Sequence, residues 1–488
     1  MTSLDKRARV GLGLLAAGLG LGLLGDAVFH GRPLGLNAAI WAFAFVAALA
    51  VLLRVGNVPL HQGRRMMAAP LVLFALLLAW RDSPLLQAVN VFAIAGAVAL
   101  GALRRTDRRV VHAGVDDYVA GAVTAGAATV LGAVELMERE VPWEQVGRGI
   151  RGRRFAAVAR GFALGLPLLV VFGGLFVAAD AVFQNLLSSA VPGLPHAWWQ
   201  HVVVALGIAW ISAGLLRDLL ATKEQERVLS VNARAPRIGA TEIMVAVGAL
   251  NLLFLAFVLV QLRYLFGGRG LVEAQVGLTY AEYARHGFFE LVIAAVLVLP
   301  LLLGVDAVHT GTPRQTRILR GLSGCLVVLV GVVMVSALQR LWLYQQTFGL
   351  TELRIYATGV VLWLAAVFGW LCLTVLRGRR DLFATGAVVA GFAATLCINV
   401  VNPDALIART NLSRPTVDVA YLGGLSDDAV PTLVAGLPSL DPPLRRALAT
   451  RLLERGTADE SVLSWNLSRT RGASLLDEHE NRLRELAR

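Results

Sequence analysis

The feature that most constrains this chain is a series of apolar runs as long as a bilayer core is thick. A helix needs about 20 mostly apolar residues to cross that core, and the chain carries about eleven such runs. They cover residues 10–29, 34–53, 66–80, 85–103, 161–179, 201–216, 240–266, 288–308, 318–338, 355–376 and 382–401. Hydrocarbon offers backbone amides no partners, so each run is predicted to be a helix. The predicted fold class is therefore all-α, a polytopic transmembrane helix bundle with a small helical C-terminal appendage.

The composition agrees with a membrane protein and argues against a soluble one. The chain is 57% hydrophobic and only 16% charged, whereas soluble domains are about 25% charged. Its net charge of +12 could indicate nucleic acid, but the basic residues lie between the apolar runs, where membrane proteins collect them. The predicted partner is the lipid bilayer, with no nucleic acid. An envelope protein or a lipid is a further candidate partner.

The distribution of arginine and lysine predicts the orientation of the helices, because cytoplasmic loops collect these residues. The loops predicted to be cytoplasmic carry Arg54, Arg64 and Arg65; Arg104, Arg105, Arg108 and Arg109; Arg217, Lys223, Arg227, Arg234 and Arg237; Arg314, Arg317 and Arg320; Arg377, Arg379 and Arg380. The alternating loops are sparser in arginine. The N-terminus is therefore predicted to be cytoplasmic and the tail after residue 401 extracytoplasmic, in a bacterial inner membrane.

One apolar stretch, residues 118–137, does not fit this alternation. It is long enough to span, but arginines at 104–109 and 148–154 flank it on both sides. Both flanks favour the cytoplasm, so we predict a helix that lies along the membrane or packs against the bundle. If it spans instead, every later loop changes side and the tail becomes cytoplasmic.

Four sections follow from these patterns. Residues 1–110 form an N-terminal membrane segment of four helices, and residues 111–154 an interfacial helix with a basic linker. Residues 155–401 form a seven-helix membrane core, and residues 402–488 an extracytoplasmic helical tail. The tail contains an amphipathic run at 444–453 and a helical run at 475–486. At under 90 residues it is expected to depend on the membrane domain for stability.

Polar and aromatic residues gather in segments that this topology places on the outer face. Ionisable residues near a membrane are usually paired or functional. The candidate cluster consists of Tyr280, Glu282, Tyr283, Arg285, Glu290, Arg340, Tyr344, Glu352, Arg354, Tyr356, Asn402, Asp404, Arg409 and Asn411. One interpretation is a pocket in which an arginine binds an anionic head group and a glutamate acts as a base. The other is a lattice of ion pairs and hydrogen bonds that docks the tail on the bundle.

Several of these segments carry a family resemblance. The stretches TYAEYARHGFFEL (279–291), YQQTFGLTELRIY (344–356) and VNPDALIARTN (401–411), with Tyr421, Leu422, Trp465 and Asn466 in the tail, combine polar and aromatic positions. They resemble a bacterial polytopic membrane family catalogued as domain of unknown function 4173, close to 4153. The resemblance covers roughly residues 155–470. It implies a membrane topology class, and it implies no activity, substrate or catalytic residue.

The sequence favours a non-enzymatic function. Walker, HExxH, GxSxG and kinase motifs are absent from it. His196 and His201 form a pair beside two tryptophans, but no neighbouring carboxylate or cysteine accompanies them, so neither a metal nor a cofactor is predicted. We expect an envelope protein that binds or senses a ligand, or scaffolds partners, through its outer face. A secondary transporter and an outer-leaflet enzyme acting on a lipid-linked substrate are the alternatives.

Overall fold

The computed structural model describes residues 6–60, 62–103, 110–141, 161, 165, 198–220, 240–266, 288–308, 312–455 and 461–488. These residues form α-helices and short 3-10 turns without a β-strand, which confirms the all-α fold class. The helices are α1 Lys6–Phe29, α2 Leu36–Val55, α3 Gln62–Trp80, α4 Pro84–Gly101, α5 Val115–Arg139, α6 Trp198–Leu220, α7 Ala240–Phe266, α8 Phe288–Val308, α9 Pro313–Phe348, α10 Glu352–Leu373, α11 Phe383–Val401, α12 Pro403–Leu412, α13 Val419–Gly423, α14 Val430–Gly436, α15 Pro442–Glu454, α16 Leu467–Glu478 and α17 Glu480–Ala487.

Helices α1 to α11 are the 11 described helices that are long and apolar enough to cross a membrane. Ten of them coincide with predicted runs, and the additional one is α5, which contains the 118–137 stretch. The predicted run 161–179 lies outside the described residues. The predicted run at 66–80 is short for a span, and the helix is longer than the run, because α3 begins at Gln62 and has 19 residues.

Helix α9 is much longer than the predicted run 318–338. It has 36 residues, which corresponds to about 54 Å at 1.5 Å per residue, whereas a hydrocarbon core is about 30 Å thick. The helix begins with a capping box between Thr312 and Gln315 and ends at Gly349, which has a φ of +80°. Polar residues near its C-terminal end stop the apolar run without stopping the helix, since arginine and glutamine are good helix formers.

The chain divides into two compact units. The first unit comprises Met1–Val110, Asp116–Leu229 and Asp459–Thr470. The second unit comprises Val111–Val115, Ser230–Ala458 and Arg471–Arg488. The C-terminal tail therefore contributes residues to both units.

In the first unit, small residues allow α1 and α6 to pack closely and antiparallel. A Cβ atom added at Gly18 would lie 2.7 Å from the Cβ atom of Ala213. One added at Gly22 would lie 2.5 Å from the Cβ atom of Ala209. Lipid provides little hydrophobic force between helices, so close van der Waals contact at such small residues drives their association.

The two ends of helix α5 contact the same end of the first unit, where α1 begins and α4 ends. A Cβ atom on Gly121 would lie 3.2 Å from the carbonyl oxygen of Ala99, near the end of α4. The backbone of Glu140, just after α5, lies against Gly11 near the start of α1. Between these points a Cβ atom on Gly132 would lie 2.7 Å from the Cα atom of Gly214 in α6. Helix α5 is long enough to cross a membrane, but its contacts pass from α4 over α6 to α1.

Arg217, near the end of α6, forms ion pairs with two acids at the end of α5. Its Nη1 atom lies 2.5 Å from Glu135 Oε2, and its Nε atom lies 2.8 Å from Glu140 Oε1. The Arg217 side chain is buried. A buried charge is tolerated only when it is paired, so these bonds hold the end of α5 against α6.

In the second unit, α8, α9, α10 and the start of α11 share an apolar core that includes Leu326, Val333, Leu364 and Phe383. Asn251 of α7 donates a hydrogen bond to the carbonyl oxygen of Leu322 in α9, at 3.1 Å. Hydrogen bonds of this kind commonly hold membrane helices together.

The second unit also contains most of the tail, which has a core of its own. Leu422, Leu433, Leu448 and Leu452 are buried in it together with Ile355 of α10. The sequence showed two helical runs in the tail, at 444–453 and 475–486, whereas the described tail has six helices, α12 to α17. Several are too short to show an amphipathic period. The participation of Ile355 agrees with the expectation that the tail depends on the membrane domain.

Candidate functional site

The predicted polar cluster is brought together only in part. Tyr280, Glu282, Tyr283 and Arg285 lie outside the described residues. Glu290, in the first turn of α8, and Arg409, on α12, have exposed side chains. The other members lie near the end of α9, the start of α10 and the two ends of α12, and Arg340 and Tyr356 are half-buried there and take part in interactions.

Asn411 binds the turn between α9 and α10. Its Oδ1 atom accepts a hydrogen bond from the backbone N–H of Leu350 at 2.8 Å, and its Nδ2 atom donates to the carbonyl oxygen of Leu350 at 2.9 Å. A side-chain amide can satisfy both groups of one peptide in this way. Asn411 is buried, so it joins the tail to this turn.

Arg354 binds the same turn from α10. Its guanidinium donates a hydrogen bond to the carbonyl oxygen of Gly349, and it stacks over the ring of Tyr344 at 4.2 Å from the centroid. A cation over an aromatic face is attracted by the ring quadrupole. In this structure Arg354 therefore stabilises the end of α9.

Asn402 connects α11 to α12. It adopts a left-handed conformation with a φ of +55°, which asparagine tolerates better than most residues. Its side chain accepts a hydrogen bond from the backbone N–H of Ala405 at 3.2 Å, so it is the N-cap of α12. The residue therefore sets the direction in which the chain leaves the last span.

Asp404 is the most deeply buried acid of the site. Its carboxylate accepts hydrogen bonds from the hydroxyl of Ser426 at 2.5 Å and from the backbone N–H of Ser426 at 3.1 Å. Its other oxygen, Oδ1, is buried without a hydrogen-bond partner, and the carboxyl groups of Glu352 and Asp428 lie beside it. We call Glu352, Asp404 and Asp428 the acidic cluster.

Burial raises the pKa of Asp404, an effect that the nearby Asp428 charge reinforces and that the hydrogen bonds from Ser426 oppose. The folded state therefore binds this proton more tightly than the unfolded chain does. The resulting stabilisation is fully present below the pKa of the unfolded chain and is lost as the pH rises through the folded pKa.

We therefore expect the chain in detergent to become less stable as the pH rises, and Asp404→Asn to remove part of that dependence. Each unit by which the pKa of Asp404 is raised contributes about 1.4 kcal/mol to the change in the free energy of unfolding between low and high pH. Denaturant unfolding followed by circular dichroism at several pH values measures it. Asp477→Asn, at an exposed position on α16, is the matched control. An unchanged pH dependence in Asp404→Asn would contradict the prediction.

A second contact that docks the tail lies in the first unit and is made by Asn466, one of the residues that carry the family resemblance. Its Nδ2 atom donates to the carbonyl oxygens of Leu78 and Arg81, each at 2.9 Å. Its Oδ1 atom accepts from the backbone N–H groups of Ser468 and Arg469 at 3.0 and 3.2 Å. Asn466 is fully buried, so every polar atom of its side chain is used to dock this segment.

The residues around Asn466 extend this contact to two loops. Arg469 pairs with Asp82 at 2.8 Å and donates to the carbonyl oxygen of Leu34 at 3.0 Å. The backbone N–H of Leu36 donates to the carbonyl oxygen of Trp465 at 2.9 Å. The loops between α1 and α2 and between α3 and α4 therefore bind the same tail segment.

Ser426, Asp428 and Arg469 are functional-site residues that no sequence pattern indicated. Ser426 meets Asp404 from 22 positions further along the chain, and Arg469 meets Asp82 from 387 positions away. No local spacing reveals such pairs. The nearest signal was the run of Ser426, Asp427 and Asp428, which is typical of a turn.

The contacts of this site are mainly bonds that dock the tail and its neighbouring turns. Asn411, Arg354 and Asn466 bind backbone groups of loops that connect candidate spans. The fold and these contacts define a polytopic α-helical integral membrane protein with a docked helical tail.

The chain belongs to the family described as Domain of unknown function (DUF4153), whose model matches residues 68–436. The match extends into α3 and α4, beyond the N-terminal limit of the resemblance seen in the sequence. The resemblance to the related family, domain of unknown function 4173, stays a prediction. No curated protein and no solved structure matches this chain.

Proposed function

We propose that this protein is a scaffold of the bacterial inner membrane that presents its tail and connecting loops on the outer face of the membrane. The observation that carries the proposal is the use of buried polar side chains of the tail to bind backbone groups of loops. Asn466 binds the loop between α3 and α4, and Asn411 binds the turn between α9 and α10. Such contacts build a rigid surface and leave these side chains no free polar atoms for a substrate.

The contacts of Asn466 also support the outer location of the tail. The segment at 461–470 lies against the loops that follow α1 and α3. Arg54 and Arg64, near the end of α2 and the start of α3, belong to the opposite end of these helices. Because arginine-rich loops favour the cytoplasm, the end that carries the tail segment faces outward. This support does not depend on how α5 is placed.

The contacts of α5 favour the predicted helix along the membrane. Both of its ends lie near the arginine-rich end of the first unit, against the end of α4 and the start of α1. A helix that crossed the bilayer would place its ends about 30 Å apart along the membrane normal. We infer that α5 packs across the cytoplasmic side of the bundle, and that the loops after it keep the predicted sides.

The positions of charge weigh against the transporter alternative. Transport of a solute predicts paired ionisable residues near the bilayer midplane. Among the described residues, the buried charged side chains of the first unit are Arg64, Arg81, Arg217 and Asp218, and all lie within a turn of a helix end. In the second unit they are Asp404 and Asp428, both in the tail.

Labelling of single cysteines tests the orientation. In a variant without Cys325, Cys372 and Cys397, we expect Val462→Cys to react with a membrane-impermeant maleimide in intact spheroplasts, because Val462 is 80% exposed. Arg54→Cys, at an exposed position at the end of α2, should react only after the membrane is opened. The reverse pattern of labelling would overturn the proposed orientation.

A substitution in the acidic cluster distinguishes a scaffold from an outer-leaflet enzyme. An enzyme that uses Asp404 as a base would lose activity in Asp404→Asn, since an amide cannot take up the proton. A scaffold needs only the hydrogen bonds from Ser426, and an amide oxygen can accept these. We therefore expect Asp404→Asn to restore growth and lipid profile in a deletion strain as the wild type does. Failure of a well-expressed Asp404→Asn would favour the enzyme.

A further inference from the structure

Three side chains with metal-binding atoms meet where α1 ends and α6 begins. The Nδ1 atom of His201 lies 2.9 Å from Oδ2 of Asp26, and the Nδ1 atom of His30 lies 3.6 Å from Oδ1 of Asp26. The two imidazole rings lie 3.8 Å apart between centroids. One donor atom of each residue lies within 4.8 Å of the others. All three residues belong to the first unit.

The packing of α1 against α6 creates this group. His30 follows the last residue of α1, and its backbone N–H donates to the carbonyl oxygen of Asp26 at 3.0 Å, so the two side chains, four residues apart, share one face. His201 is in the first turn of α6, and the contacts at Gly18 and Gly22 bring that turn to the end of α1. In the sequence His201 has no neighbouring carboxylate, because Asp26 lies 175 positions away. His196 lies outside the described residues.

We propose that Asp26, His30 and His201 form a binding site for a divalent transition-metal ion of the zinc type. Imidazole and carboxylate donors suit zinc, and three protein ligands with one open position are typical of accessible zinc sites. Neighbouring ligand atoms in a tetrahedral zinc site are about 3.3 Å apart, given metal–ligand distances of about 2.0 Å. From the single oxygen Oδ1 of Asp26, the Nδ1 atoms of His201 and His30 lie at 3.1 and 3.6 Å, on either side of that value.

The exposure of the three side chains also fits an accessible ion. The Asp26 side chain is 17% exposed and that of His30 is 22% exposed, whereas that of His201 is 51% exposed. Two ligands are thus held by packing, and the third faces water. An ion can enter past His201, and its fourth position remains open to water or to a ligand that offers an anionic oxygen.

Zinc binding by the full chain tests this site. The protein is purified in detergent with a tag that contains no histidine, stripped with a chelator and titrated with Zn²⁺ against a colorimetric competitor. We expect about one zinc ion per chain. Asp26→Asn and His201→Gln should each raise the Kd by at least about 100-fold, because even partners that do not contact the metal are worth 10- to 100-fold.

The matched control is His112→Gln, which removes another histidine–aspartate pair. His112 Nδ1 lies 2.6 Å from Asp381 Oδ2. Among the described residues, this pair does not belong to a group of three metal-ligating side chains. We expect this control to keep the wild-type affinity. If the wild type binds no more zinc than the Asp26→Asn and His201→Gln double variant, or if the control loses as much affinity, the metal site is refuted and the contact is a simple hydrogen bond between helices.

Cobalt provides a test that does not depend on the folding of any variant. Tetrahedral Co²⁺ with mixed nitrogen and oxygen ligands absorbs visible light much more strongly than octahedral Co²⁺ in water. We expect wild-type protein to show the intense bands on Co²⁺ addition and to lose them when Zn²⁺ displaces the cobalt. A spectrum of hydrated Co²⁺ alone would overturn the proposal.

Discussion

Asn466→Ala should release the 461–470 segment from the first unit and lower the free energy of unfolding by about 3 kcal/mol. The substitution removes the two donors that satisfy the carbonyl oxygens of Leu78 and Arg81. It also removes the acceptor for the backbone N–H groups of Ser468 and Arg469. Asn466 is fully buried, so water reaches these groups only when the segment opens. The carbonyl oxygen of Arg81 keeps a donor in Gln87, and opening of the segment limits the loss to about one or two unsatisfied groups, at about 1–3 kcal/mol each.

Hydrogen–deuterium exchange of the 461–470 peptide and denaturant unfolding of the whole chain measure the two parts of this prediction. Asn481→Ala is the matched control, because Asn481 is an exposed asparagine on α17. We expect the control to be nearly neutral, as exposed substitutions usually change stability by less than about 0.5 kcal/mol. Equal effects of the two substitutions would show that Asn466 does not dock the tail.

Gly22→Leu should separate α1 from α6 and destabilise the first unit by about 3 kcal/mol, at the upper end of the usual cost of overpacking. A Cβ atom at this position would overlap the carbonyl oxygen of Ala205 and lie 2.9 Å from the backbone nitrogen of Ala209. These are backbone atoms of the neighbouring helix, which cannot move aside as the end of a flexible side chain can. The whole helix would have to shift.

Gly20→Leu on the same helix is the control. A Cβ atom at Gly20 would have no heavy atom within 4 Å, so we expect a leucine there to face lipid with little effect. The midpoints of SDS-induced unfolding of the two variants, followed by tryptophan fluorescence, give the comparison. A shift of His201 away from Asp26 should accompany Gly22→Leu, so zinc affinity should fall with stability in this variant. Similar midpoints for both variants would contradict the proposed packing.

The spans were predictable because a membrane imposes a length and a composition that a sequence displays directly. Each crossing must satisfy its own backbone within one helix. Ten described candidate spans therefore fall on the predicted runs. The boundaries were less predictable. The sequence placed the end of one run at residue 338, but α9 continues to Phe348, since the polar residues after the apolar run still favour a helix.

The candidate cluster was predictable in part. The sequence selected Asn402, Asp404 and Asn411, and the structure buries Asp404 and Asn411 and makes Asn402 a helix cap. Polar residues at the ends of spans stand out against apolar runs. Their roles did not follow from the sequence, because a role depends on the partner. Asn411 binds Leu350 from 61 positions away, and Ser426 joined the site only through folding.

The sequence by itself determined that this chain crosses a membrane many times, which loops are rich in arginine, and that a polar helical tail follows the last span. These properties are local, since length, hydropathy and charge act segment by segment. The tertiary structure alone decided how α5 lies against α1, α4 and α6, which peptides Asn466 and Asn411 bind, and that Asp26 and His30 meet His201. Such contacts join residues that are distant in the chain, and they depend on the shapes of packed helices, which no single segment encodes.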